Sequence, residues 1–138
     1  MDRGGAEQID LIKMIADYME GGFLDNIIAM FRQDGNLYAH VGELLTDERM
    51  KVRIGVTALL ETLKTEDPEN VRKAMPYILP LLQNKNPVIR GDTAYLIGLI
   101  GNNEEIPALQ KLIGDEDENV RSIVSEAIQD IQSNHRSL

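Results

Sequence analysis

Apolar positions recur along this chain in one repeating stripe. With Arg90 as zero, Thr93, Ala94, Leu96, Ile97 and Ile100 stand at +3, +4, +6, +7 and +10. That spacing is one face of a helix. From Arg121 the same offsets give Val124, Ser125, Ala127, Ile128 and Ile131, and from Arg53 they give Val56, Thr57, Leu59, Leu60 and Leu63. Upstream positions agree as well. Leu44–Leu45, Leu81–Leu82 and Leu112–Ile113 stand nine and eight residues before each Arg, with Val41, Ile78 and Leu109 at twelve. Each unit is therefore two helices, A and B, joined by a short polar turn. A weaker copy counted from Leu24 places Ile27, Ile28, Met30 and Phe31 in the stripe and lacks the Arg. Terminal repeats are often atypical, because one flank faces water.

The pattern predicts helices over 6–20, 23–34, 37–45, 50–64, 69–82, 88–100, 105–113 and 119–132, with no strands. The expectation is a single domain, 1–138. It has a degenerate first repeat over 6–35, repeats over 37–64, 69–101 and 105–132, and a tail over 133–138. Asp67 and Pro68 read as the capped start of the 69–82 helix. Pro76 and Pro80 lie inside it and should bend or break it, since each removes a backbone donor. Gly98 suits a close helix contact, and Gly101 ends its helix.

Composition narrows the class. The chain has 138 residues, no cysteine and no tryptophan. Disulfides, thiolate metal sites and thiol nucleophiles are therefore out. The N-terminus carries no signal-like apolar run, and no stretch approaches a membrane span, so the expected setting is soluble and cytoplasmic. The formal charge of −9 has no basic run to offset it, which disfavours nucleic acid.

The segment "VIRGDTAYLIGLIGNNEEIPALQKLIGDEDENVR" resembles a HEAT repeat of the short prokaryotic kind shared with phycobilisome lyases. That pattern has an Asp in the A–B turn and an Arg six residues on. Asp47 with Arg53 and Asp115 with Arg121 match it, while Asn84 with Arg90 departs, which should weaken that link. The resemblance implies an α-solenoid with B helices on the concave side. It implies no single function, since the family spans scaffolds, adaptors and a few enzymes.

Most chemical motifs dissolve on inspection. Asp115, Asp117, Asn119 and Glu126 fit positions 1, 3, 5 and 12 of a calcium loop, but Val120 stands where glycine must turn. His40 and His135 have no spaced second ligand. "GDTAYLIGLIG" lacks the Lys-Ser/Thr of a phosphate loop. The Asp/Asn–Arg pairs read as scaffolding, the turn side chain capping the B helix and accepting from an Arg. No catalytic residue, metal or cofactor is expected.

The B face opposite the core stripe is more informative. Offsets +1, +2, +5 and +9 bring together Ile54, Ala58, Asp92, Tyr95, Leu99, Ile123 and Glu126, with Asp25 and Asp130 at the edge. Apolar centres with polar rims mark binding surfaces. Burial by tight curvature and a homodimer seal are the alternatives. The expected function is a small protein-interaction scaffold that takes a protein or peptide with basic flanks in its groove, binding neither nucleic acid nor membrane. An enzyme or chromophore-lyase subunit is the alternative that the resemblance allows.

Overall fold

The computed structural model describes residues 3–136. The chain is an all-α superhelical solenoid, with no strand among the described residues. Long helices are α1 (Arg3–Glu20), α2 (Leu24–Gln33), α4 (Met50–Glu66), α6 (Pro87–Ile100) and α8 (Glu118–Arg136). Short helices are α3 (Val41–Leu45), α5 (Met75–Ile78) and α7 (Ile106–Gln110). Each short helix continues a 3₁₀ stretch, at Gly35–His40, Val71–Ala74 and Asn103–Glu105. One layer holds α2, α4, α6 and α8, each packed on the next. The other holds α1 and the three segments built of short helices.

The apolar stripe is the core. At +3, Ile27, Val56, Thr93 and Val124 are all fully buried, and at +10 Leu63, Ile100 and Ile131 are buried. Ile28, Met30, Thr57 and Ile128 of the stripe are half-buried, and Ser125 is exposed. Its counterpart Ala94 is buried. The difference lies in position, because α8 is the last helix of its layer and its outer flank meets water.

The predicted 69–82 helix is divided. Residues 71–74 are 3₁₀, 75–78 are α, and Leu79–Gln83 are 3₁₀ again. Pro76, Pro80 and Pro107 each fall in the first turn of a helical piece. A missing N–H costs nothing there, so the prolines restart the helix where they would otherwise break it. Asp67 does not cap this segment with its side chain. Its Oδ2 accepts from the Tyr38 hydroxyl at 2.8 Å and its Oδ1 from Asn70 Nδ2 at 2.9 Å. Tyr38 is itself buried edge-on against Phe31, ring centroids 5.1 Å apart. The predicted tail also shifts, since α8 continues to Arg136; 137–138 lie outside the described residues.

Gly42 and Gly98 set how closely the segments approach. A methyl on Gly42 would run into the Tyr77 carbonyl. One on Gly98 would stand 2.7 Å from Ala127 Cβ, so α6 and α8 touch at backbone range.

Candidate binding face and turn locks

The turns repeat one construction three times. Asp47 Oδ1 accepts from the Arg49 amide at 2.9 Å, Asn84 Oδ1 from the Asn86 amide at 2.8 Å, and Asp115 Oδ1 from the Asp117 amide at 2.9 Å. These are Asx turns. The Arg six residues on then donates to the carbonyl of that same residue. Arg53, Arg90 and Arg121 Nη1 lie 2.8, 2.9 and 2.7 Å from the carbonyl oxygens of Asp47, Asn84 and Asp115.

This corrects the expected chemistry of the pairs in two respects. The B-helix caps come from other residues: Asn86 accepts from the Val88 amide and Asp117 from the Val120 amide. Asn84 also keeps the lock to Arg90 within its own unit. An amide oxygen closes an Asx turn as a carboxylate does, and the Arg needs only the backbone carbonyl.

What distinguishes the three arginines is what else they reach. Arg90 Nε and Nη2 hold both carboxylate oxygens of Asp115 in the next turn, at 3.0 and 2.9 Å. Arg90 is buried, and the guanidinium beside Asp115 keeps that carboxyl below the usual aspartate range. The same fork from Arg53 would meet Asn84, which carries no charge, and Arg53 Nε lies 4.0 Å from Asp92 instead. At the other end Asp47 is held by Arg49, which also reaches Asp17 and Glu20 of α1 at 2.9 and 3.3 Å. Arg49 therefore ties the first helix to the stack.

The face predicted for binding is assembled on α4, α6 and α8. Ile54 is 60% exposed and Tyr95 43%. Glu126 is exposed, and Ala58, Asp92, Leu99 and Ile123 are half-buried. Leu99 and Ile123 also pack against the core, so they are less free than Ile54 and Tyr95. The Tyr95 hydroxyl donates to Glu61 Oε1 of α4 at 2.9 Å. That bond, then burial, then the nearby charges of Glu61 and Asp130 raise the hydroxyl's pKa. The ring is thus fixed across two helices, with carboxylates converging on its polar end.

Two clefts flank α6. One, of about 270 Å³, lies between α6 and α8 beside Tyr95, Ile123, Asp92, Glu126 and Asp130. The other, of about 230 Å³, lies between α4 and α6 beside Met50, Ile54, Val88 and Arg53, and shares Asp92. Burial raises the pKa of Asp92, against the opposing pull of Arg53.

Met50 and Val88, 65% and 52% exposed, belong to this face although the sequence reading passed over them. The B helices begin three residues before the Arg. At about 100° per residue, two positions before the Arg return to the middle of the same face, where Val88 stands, and three before it fall on the flank, where Met50 stands. Glu61 had no signal of its own, because its role depends on the Tyr95 hydroxyl of another helix. Among the described residues no group of His, Cys, Asp or Glu could hold a metal ion, and no helix is long and apolar enough to cross a membrane.

No curated protein matches the chain significantly. The family model of HEAT repeats matches residues 75–138, which contain α5 to α8 and the Arg90–Asp115 link. Over those residues the chain is similar to HEAT repeats, in keeping with a stack of helices locked by recurring turns.

Proposed function

We propose that the chain is a protein-interaction module whose partner lies along the exposed face of α4, α6 and α8. The observation that carries this is the row Met50, Ile54, Val88 and Tyr95. Four large apolar side chains stand 43–65% exposed, on adjacent helices, beside two clefts. Single exposed apolar residues are ordinary, but a contiguous row is costly in water and marks an interface. Tyr95 is the natural anchor, since its hydroxyl already has a partner and its ring is held without further loss of rotamer entropy. The division into four helical hairpins over 1–138 belongs to this reading. So does the choice of a scaffold over a lyase, in favour of which no observation on this face speaks.

The test is Ile54→Ser with Tyr95→Ser. Leu99 is left unchanged because it also packs against the core. The double variant should keep its far-UV circular dichroism and melting temperature while losing the proteins that the wild type captures from its source cell. Capture of the same set by a folded double variant overturns the proposal. Loss of self-association instead, seen by sedimentation velocity, would make a second copy of the chain the occupant.

A further inference from the structure

The two clefts differ in chemistry, and their spacing is set by the helices. The α4–α6 cleft has an aliphatic wall of Met50, Ile54 and Val88, with Arg53, Thr57 and Asp92 completing its lining. It suits an aliphatic side chain. The α6–α8 cleft presents the Tyr95 ring with Asp92, Glu126 and Asp130 around it. A cation there would lie beside the Tyr95 ring and up to three carboxylates, and Arg or Lys lowers its stem along Ile123 while its head pairs with the acids. Carboxylates alone would be a solvated rim. What points to a ligand here is a formed cleft, a fixed ring and a second cleft with an aliphatic wall one helix away, in a chain of net charge −9.

We infer that the partner segment is an amphipathic helix laid across α4, α6 and α8, with a large aliphatic side chain in the α4–α6 cleft and an arginine or lysine seven residues away in the α6–α8 cleft. Neighbouring packed helices lie about 8–10 Å apart, and the lining residues place the α6–α8 cleft about one turn further along the helices, so the clefts are separated by about 10–11 Å. In a helix, residues seven apart share a face and lie about 10.5 Å apart at 1.5 Å per residue. Same-face residues of an extended strand fall at about 6.6 or 13 Å, which misses the spacing. The desolvation of Asp92 supports the same reading, since a seated cation would relieve it. This inference rests on the proposed use of the face and adds the partner's conformation, its charge and its register.

The experiment is selection of a displayed library of helical peptides, randomised on one face, against the full chain. Enriched peptides should pair an aliphatic residue with Arg or Lys seven positions away. On the Asp92→Asn, Glu126→Gln, Asp130→Asn variant, the basic enrichment should fall at least tenfold while the aliphatic preference persists. The single variant Glu126→Lys, milder for folding, should weaken the selected peptides about tenfold and restore affinity when their basic residue is changed to Glu. Both variants are checked for wild-type helical signal. Suppose peptides are blocked by Ile54→Ser with Tyr95→Ser yet carry no basic residue at that spacing, or are indifferent to both charge variants. The inference then falls while the binding face stands. If no peptide is selected, or binders ignore Ile54→Ser with Tyr95→Ser, both readings fall.

Discussion

Two glycines on α6 should respond to the same substitution with opposite signs. Gly91 and Gly98 are both interior to Pro87–Ile100. In each, alanine gains about 1 kcal/mol of helix propensity. The surroundings differ. A Cβ at Gly91 would meet only Ile123 Cδ1, at 3.1 Å, the far end of a flexible side chain. That atom can move a few tenths of an ångström, so Gly91→Ala should stabilise by about 0.5–1 kcal/mol. A Cβ at Gly98 would stand 2.7 Å from Ala127 Cβ and 2.8 Å from Ala127 Cα. Carbon contacts are comfortable at about 3.5–4.0 Å, so α8 must shift bodily by about 1 Å. Overpacking of this kind costs about 1–3 kcal/mol, which outweighs the propensity gain. Gly98→Ala should therefore destabilise by about 1 kcal/mol, and propensity cancels from the difference between the two variants, about 1–3 kcal/mol. Ala127→Gly should rescue Gly98→Ala only in part, because the Cα overlap remains. Urea melts followed by far-UV circular dichroism give each value by linear extrapolation. If Gly98→Ala matches Gly91→Ala in sign and size, α6 and α8 are not in backbone contact, and the cleft between them is misdrawn.

Asp92→Asn should raise the melting temperature at neutral pH. Burial raises this carboxyl's folded pKa above its unfolded value, so ionised Asp92 costs stability above that range, and the gain should vanish as pH falls below about 4. Asp115→Asn should do the reverse. The Arg90 contact lowers its folded pKa, so its stabilisation is present above the unfolded value and lost as pH falls through the folded one. The gap between wild type and Asp115→Asn should begin to close below about pH 4 and disappear at lower pH, and a gap that persists in strong acid refutes the ion-pair account. Asn84→Asp should let Arg53 repeat the fork that Arg90 makes to Asp115, keeping the Asx turn and adding about 0.5–1 kcal/mol in a urea melt. No gain, or a loss, would show that Arg53 cannot leave Asp92.

Legibility in the sequence followed the range of the interaction. The core stripe was readable because helical periodicity is local: Val56, Leu59, Leu60 and Leu63 lie within three turns of one helix and face one way. The broken front segments were readable only in part. Proline announces that a helix cannot pass through it, but its restart as a new first turn depends on what the preceding carbonyls find. The Asp/Asn–Arg spacing was visible, yet its chemistry was not. A residue six positions before an Arg can offer it a side chain or a carbonyl, and only coordinates show the carbonyl chosen all three times. Tyr38 with Asp67 and Tyr95 with Glu61 join residues 29 and 34 apart, so no local pattern announces either pair.

The proposed binding face sits between these extremes, and for a physical reason. Its angular position follows from periodicity, which placed Ile54, Tyr95 and Glu126 on it. How much of each side chain remains in water depends on how near the next helix comes, and Gly98 governs that on the α6–α8 side. Leu99 and Ile123 were drawn partly inward by that approach, whereas Met50 and Val88 lie on the first turns of α4 and α6, where the neighbouring turn leaves them uncovered. The surface that a partner would meet is therefore a product of helix phase and helix separation. Phase is written in the apolar stripe. Separation is set by single residues, a glycine on one helix against an alanine on the next, whose consequence appears only when both are placed together.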